Sequence, residues 1–203
     1  MTAWRNPGRP IILASQSAQR KEILRLLGFT FEICPPETID EASYIKDNDL
    51  ELSLRRLAIA KAKSVAGRRP DALVLGADTV VVKGSRVLGK PQNPDEARIM
   101  LASLAGSAHR VVTSVALVCG EWEFTRTGLA FTEVLFRNFA LSEIEEYLEG
   151  DEYRDKAGAY AIQGKAMAFV ESIRGCYYNV VGLPVSETIR LFTEFMGVID
   201  NGT

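Results

Sequence analysis

One carboxylate in this chain stands where a carboxylate is costly. Residues 73–82 read Leu-Val-Leu-Gly-Ala-Asp-Thr-Val-Val-Val, an apolar and β-branched run interrupted by Asp78. The run predicts a strand buried on both faces. A charge in such surroundings persists only if something compensates it. Gly76 predicts either a bend or a close approach of another backbone. A bend would lift Asp78 to the end of the strand, where open α/β sheets bind ligands. The plainer alternative is a turn aspartate satisfied by its own backbone.

Other groups able to do chemistry are scattered along the chain. Residues 15–20 read Ser-Gln-Ser-Ala-Gln-Arg and follow a short apolar run, 11–14. Ile23, Leu24, Leu26 and Leu27 then recur at helical spacing up to Gly28. Ser17 is a candidate N-cap, and the backbone N–H groups and dipole of a helix start attract phosphate. By themselves these residues equally fit an ordinary serine cap beside a solvated arginine. Asp40 and Glu41 adjoin in a proline-containing stretch, either simply solvated or supplying oxygen ligands to Mg²⁺. Lys61 falls on the apolar stripe formed by Leu50, Leu54, Leu57, Ala58 and Val65, whereas Lys63 does not. It either snorkels to the edge of the core or points into a cleft that needs a positive charge, and its place on the buried face favours the cleft. On that stripe an apolar replacement should be tolerated. Lys90 sits beside the rigid Pro91.

Composition narrows the classes. The chain has 203 residues, 47% hydrophobic and 25% charged, with Lys+Arg 24 against Asp+Glu 26 and a formal net charge of -2. That is an ordinary soluble globular composition without the basic excess of a nucleic-acid binder. No apolar run approaches the ~18 residues of a membrane span, and the first ten residues lack the apolar core of a signal peptide. A cytoplasmic protein is expected. Cys34, Cys119 and Cys176 are odd in number and widely spaced, fitting neither a disulfide framework nor a metal site. The single histidine, His109, excludes a multi-histidine metal site and is read as structural.

The elements that must position these groups alternate between helix and strand. Strands are expected at 11–14, 73–82, 87–91, 111–119, 122–127, 129–136 and 167–173, with a hairpin turn at Lys83-Gly84-Ser85. Helices are expected from Ser17 to Gly28, from Asp49 to about Arg68, from Asn93-Pro94 to Gly106, from a capping box at Ser142–Glu145 to Gly150, and from Pro184 to Gly197. Residues 29–47 read as irregular, and 151–164 as a mixed loop of the kind that lines sites. Residues 1–10 read as an N-terminal extension and 11–203 as a single domain.

Taken together, Leu13-Ala-Ser-Gln-Ser17 with Arg20, Asp40-Glu41, Lys61, Gly76-Ala-Asp-Thr79, Gly89-Lys-Pro91, His109-x-Val-x-Thr113, the stretch 155–164 and Gly182-Leu-Pro184 resemble the Maf family of nucleoside triphosphate pyrophosphatases. These pieces occur in the family's order across about 11–196. The resemblance implies an α/β fold with an elongated mixed sheet flanked by helices, two lobes around a cleft, similar to inosine-triphosphate pyrophosphatases. It implies hydrolysis of dTTP and UTP to the monophosphate and pyrophosphate, a house-cleaning role in nucleotide pools, and dependence on a divalent cation, Mg²⁺ or Mn²⁺. Asp78 is then the proton acceptor for water. Ser15, Ser17, Arg20, Lys61 and Lys90 bind phosphate, and Glu41 holds the metal. Three positions separate the dTTP/UTP branch from one that prefers 7-methyl-GTP. Thr79 and Gln163 agree with the first branch. Gln19 matches neither the arginine usual there nor the tryptophan of the other, and Ala18 replaces a usual proline. The same reaction on 7-methyl-GTP or other modified nucleotides, and a non-catalytic role in cell division, remain the alternatives. A nucleoside triphosphate is the expected partner, with no nucleic acid and no membrane. The sequence leaves a homodimer open.

Overall fold

A computed structural model describes residues 7–44 and 49–201. The end of the stretch expected to be irregular, 45–47, lies outside the described residues, as do the first six residues of the expected extension. Among the described residues no helix is long and apolar enough to cross a membrane.

The chain is mixed α/β. In order it forms β1 (Ile11–Leu13), α1 (Ala18–Leu26), β2 (Glu32–Ile33), α2 (Glu41–Tyr44), α3 (Leu50–Ala66), β3 (Leu73–Lys83), β4 (Arg86–Leu88), α4 (Pro94–Leu104), β5 (Ala108–Cys119), β6 (Phe124–Phe136), α5 (Leu141–Leu148), β7 (Val170–Gly175), α6 (Tyr177–Val181) and α7 (Val185–Asn201). Seven strands make one sheet in the order β2-β1-β3-β5-β6-β7, with β4 pairing β3. β1 runs parallel to β2 and β3, while β3–β4 and β6–β7 are antiparallel, so the sheet is mixed.

The helix starts follow local chemistry. Ser17 Oγ accepts from the Arg20 N–H at 3.4 Å, Asp49 Oδ1 from Leu52 N–H at 3.0 Å and Asn93 Oδ1 from Glu96 N–H at 2.8 Å, each satisfying a donor that the helix cannot. Lys83 pairs with Arg86, so Gly84 and Ser85 form the two-residue hairpin turn.

Five expectations are corrected. Residues 29–44 are not wholly irregular, since Glu32 and Ile33 pair with Ile12 and Leu13, and Glu41–Tyr44 is helical. Residues 122–127 and 129–136 do not form two strands. β6 runs straight through Gly128, where an added Cβ would lie 2.9 Å from Glu187 Cβ. That glycine makes room for α7 and turns nothing. The box expected at Ser142 is shifted: Glu143 reaches back to the Ala140 N–H at 2.9 Å while pairing with Arg137 at 2.6 Å, so α5 starts at Leu141. The last strand starts at Val170, because 165–169 form a 3-10 turn. α7 passes through Gly197 to Asn201.

Contacts divide the chain into two compact units. One comprises the residues up to Asp78, Thr113–Ala130, and those from Gly182 on. Its core sets Ala58, Ala62 and Val65 of α3 against Ile12, Val74, Ala116 and Val118 of the sheet. Arg9 and Pro10 join it, Arg9 through Asp71 O at 2.9 Å and Glu121 at 2.6 Å, and Pro10 by accepting from Leu73 N–H at 2.8 Å.

The other unit comprises Thr79–Val112 and Phe131–Val181. Its core gathers Leu101, Leu104, Val134, Phe136, Phe139, Tyr147, Tyr160 and Phe169. His109 is 2% exposed inside this cluster, edge-on to Phe136 and hydrogen-bonded through Nε2 to the Tyr160 hydroxyl at 2.8 Å. Burial, with Lys83 adding to it, pushes the His109 pKa down to about 4. The unfolded chain, with an ordinary value near 6.5, therefore binds the extra proton first, and stability falls as pH drops from about 6.5 to about 4. The effect amounts to roughly 3 kcal/mol at full extent. Urea titrations of wild type and His109→Gln between these pH values should give a flatter dependence for the variant. Parallel curves would assign the acid sensitivity to other groups.

Candidate functional site

The group around Asp78 is built by side-chain alternation on one strand and helical spacing on another element. Val74, Gly76 and Asp78 lie two residues apart on β3 and so share one face. Ala58, Lys61 and Ala62 lie three and four apart on α3 and share another. The two faces meet at Gly76, where an added Cβ would come within 2.5 Å of Ala58 O and 2.9 Å of Ala62 N. Backbone atoms cannot yield as a side-chain tip can, so only glycine allows α3 this close. Of the two expectations for Gly76, the close approach is correct and the bend is not. β3 is continuous, and Asp78 sits within it, not at its end.

At that separation the Lys61 side chain spans the gap. Its Nζ donates to Asp78 Oδ1 at 2.5 Å and pairs with Glu41 Oε1 at 2.6 Å. Lys61 and Asp78 are 8% and 6% exposed, whereas the Glu41 side chain, at the start of α2, is 44% exposed. The turn-aspartate reading of Asp78 is thereby excluded. The pairing also overturns the expected tolerance of an apolar side chain at 61, since removing the ammonium would strand a buried carboxylate. Asp40, next to Glu41, is exposed, and its carbonyl receives the Ser43 N–H and hydroxyl.

Arg20, half-buried on the first turn of α1, adds a second cation. Its Nε donates to Gly182 O at 2.9 Å and its Nη1 to Ser15 Oγ at 3.2 Å. Burial pushes its pKa down, and the charges of Asp78 and Glu41 act against that shift. The guanidinium remains cationic under any ordinary condition. Ser15 Oγ also receives the Ser17 N–H at 3.2 Å, so that amide of the expected phosphate cradle is already turned onto a side chain. Ser17 Oγ caps α1 and donates to Gln19 Oε1 at 3.2 Å. The carbonyl of Gly182 has no signal of its own in the sequence beyond the Gly-Leu-Pro stretch around it.

Thr79 follows Asp78 on β3 and is half-buried. Lys90 and Gln163 are exposed residues of the unit formed by Thr79–Val112 and Phe131–Val181. Within that unit the Gly158 N–H donates to Gly89 O at 3.0 Å, which ties the loop of Lys90 to the segment leading to Gln163. Gly158 has φ +69, and an added Cβ there would lie 2.9 Å from a Val81 methyl. Gln163 rides on a turn closed by Gly164 N–H donating to Ala161 O at 2.9 Å.

Among the described residues no three His, Cys, Asp or Glu side chains gather as a ready-made metal cage. Glu41 and Asp78 nonetheless converge on one cationic atom with hard oxygen donors. Mg²⁺ is typically bound by one or two carboxylates completed by water and substrate phosphate, so the residues present fit such an ion in company with a triphosphate.

Residues 10–195 match the family model for Maf-like protein. The dTTP/UTP pyrophosphatase of Symbiobacterium thermophilum is 48% identical over 187 residues, covering 91% of this chain and 93% of that protein. The dTTP/UTP pyrophosphatase of Bacillus cereus strain B4264 is 45% identical over 188 residues, covering 92% and 96%. Among solved structures, the Staphylococcus aureus Ham1 protein aligns with 63% of this chain and 72% of its own at 11% identity, with a TM-score of 0.45. The match runs from the residue before β1 into α7, through every residue of the Arg20, Lys61 and Asp78 groups, and the chain belongs to the Maf family.

Proposed function

We propose that this protein is a nucleoside triphosphate pyrophosphatase, acting in the cytoplasm on dTTP and UTP and releasing the monophosphate and pyrophosphate. The observation that carries the reading is the Lys61 ammonium held between the buried Asp78 and Glu41, in a family member whose similar relatives bear the name dTTP/UTP pyrophosphatase. A triphosphate brings about four negative charges, and further charge develops on its oxygens in the transition state. Lys61 and Arg20 are cations near the Asp78 carboxylate, suited to clamp those oxygens, and Lys90 is a third candidate. The Ser15 hydroxyl, already aligned by Arg20 and the Ser17 amide, serves as a further phosphate contact, with Ser17 in the same turn. Asp78 takes the proton of the attacking water. Glu41 would hold Mg²⁺ or Mn²⁺, which when bound polarises the α-phosphate and lowers the pKa of nearby water. Gln19, Thr79 and Gln163 choose the base. The Maf resemblance supports each of these assignments, and the geometry around Lys61 supports the first group independently.

Asp78→Asn keeps an oxygen for Lys61 Nζ and leaves Glu41 as its counter-charge, so the fold should survive. Turnover should fall by ~10²–10⁴-fold, the usual loss of a general base. Lys61→Met should also lose activity, and its thermal stability should drop by about 3–5 kcal/mol, because Asp78 stays buried without its ammonium. Wild-type turnover in folded Asp78→Asn would remove Asp78 from the chemistry.

Chelation with EDTA should abolish pyrophosphate release, and added Mg²⁺ or Mn²⁺ should restore it. Undiminished activity in a metal-free preparation would exclude the role given to Glu41.

Gln19 lacks the charge of arginine and the stacking surface of tryptophan. Discrimination against CTP should therefore be narrower than in an arginine-bearing relative, by roughly ten- to thirtyfold for one lost contact. Gln19→Arg should raise kcat/KM for dTTP and UTP above the rest of a nucleotide panel. A strong wild-type preference for 7-methyl-GTP would instead place the protein in the other branch.

A further inference from the structure

The turn that carries Gln163 is held from below by a carboxylate that the chemistry does not use. Glu152 Oε2 accepts from the Lys165 N–H at 2.7 Å. The same carboxylate fills the space beside Gly164: an added Cβ would overlap Oε2 and lie 2.6 Å from Cδ. Gly164 has φ -104, outside the left-handed region that favours glycine. What a side chain there would meet is the Glu152 carboxylate. On the other side of the turn the Ala161 N–H donates to the buried Tyr147 hydroxyl at 3.2 Å. Gln163 therefore sits between two fixed amides, Ala161 on Tyr147 and Lys165 on Glu152, with Gly164 N–H closing the turn between them.

We propose that Glu152 and Gly164 form one positioning unit for nucleotide selection, in which the missing side chain of Gly164 admits the Glu152 carboxylate that locks the Gln163 turn. The inference rests on Gln163 acting as a base-selecting residue, as argued above. Glu152 touches no phosphate or base in this scheme, and it acts through the backbone of residues 163–165. A glutamine at 152 still offers an acceptor to the Lys165 amide, whereas an alanine does not. An alanine at 164 expels the carboxylate at little cost to the fold, because the atom displaced is the flexible end of a side chain.

The test is a set of five variants assayed on dTTP, UTP and CTP, with thermal stability measured alongside. Glu152→Ala and Gly164→Ala should each lower the preference for dTTP over CTP by about tenfold, through KM for dTTP and with kcat little changed, as expected for one lost charge-assisted hydrogen bond. Glu152→Gln should retain the preference. The double variant Glu152→Ala with Gly164→Ala should be no less selective than either single variant, since both remove the same contact. Multiplying losses in the double variant, or a folded Glu152→Ala that selects as wild type does, would overturn the positioning unit while leaving the dTTP/UTP reading intact. A folded Gln163→Ala variant that prefers dTTP over CTP as strongly as wild type would overturn the base-selecting role of Gln163 and this inference together.

Discussion

The structure depends on one buried ion pair whose partners are brought together by a missing side chain. Lys61 and Asp78 lie on apolar faces of α3 and β3, where either charge alone would oppose folding. Gly76 lets the helix backbone come to the strand, and the lysine stem then covers apolar surface while its ammonium meets the carboxylate. Pairs of this kind rarely raise stability above what hydrophobic residues of the same volume would give. Their retention is better understood through what they hold ready. A cation and a carboxylate are kept in fixed mutual geometry beside a second, more exposed carboxylate, Glu41, and a second cation, Arg20. Electrostatic preorganisation of this sort is the largest single contribution in many phosphoryl-transfer sites.

The residues around Gln163 are held by different means. There the backbone takes positive φ at Asp155, Gly158 and Ala159, and only Gly158 does so without steric cost. The aromatic cluster of Phe136, Tyr147, Tyr160 and Phe169 and the bond between Tyr160 and His109 constrain the segment on either side of the turn. His109, the single imidazole, thus belongs to packing, and its depressed pKa reflects burial, with the Lys83 charge adding to it.

Much of this was legible before any coordinates. Asp78 was visible as a charge in a β-branched run, Lys61 as a cation on the wrong face of its helix, and Ser17, Asp49 and Asn93 as caps, because these signals depend only on side-chain type and period. The errors share a cause. Gly128 and Gly197 read as a break and a stop, and Gly76 as either a bend or a close approach, yet the chain runs regularly through all three and only the close approach at Gly76 holds. At Gly76 and Gly128 the glycine answers a neighbour distant in sequence, α3 in one case and Glu187 in the other. Local rules cannot tell a glycine that turns the chain from one that admits another element.

The sequence by itself determined the mixed α/β class, the family to which the chain belongs, and the residue types available for binding a triphosphate. Those follow from hydrophobic period, turn chemistry and the order of short motifs, which are all properties of the chain read along its length. Only the tertiary structure decided which charges meet. It joined Lys61 to both Asp78 and Glu41, turned the Ser17 amide onto Ser15, sent the Arg20 side chain to the carbonyl of Gly182, and set Glu152 under Gly164. The physical reason is that a buried charge or amide must find its partner wherever packing brings one, and most of these partners lie 12 or more positions away, in one case 162.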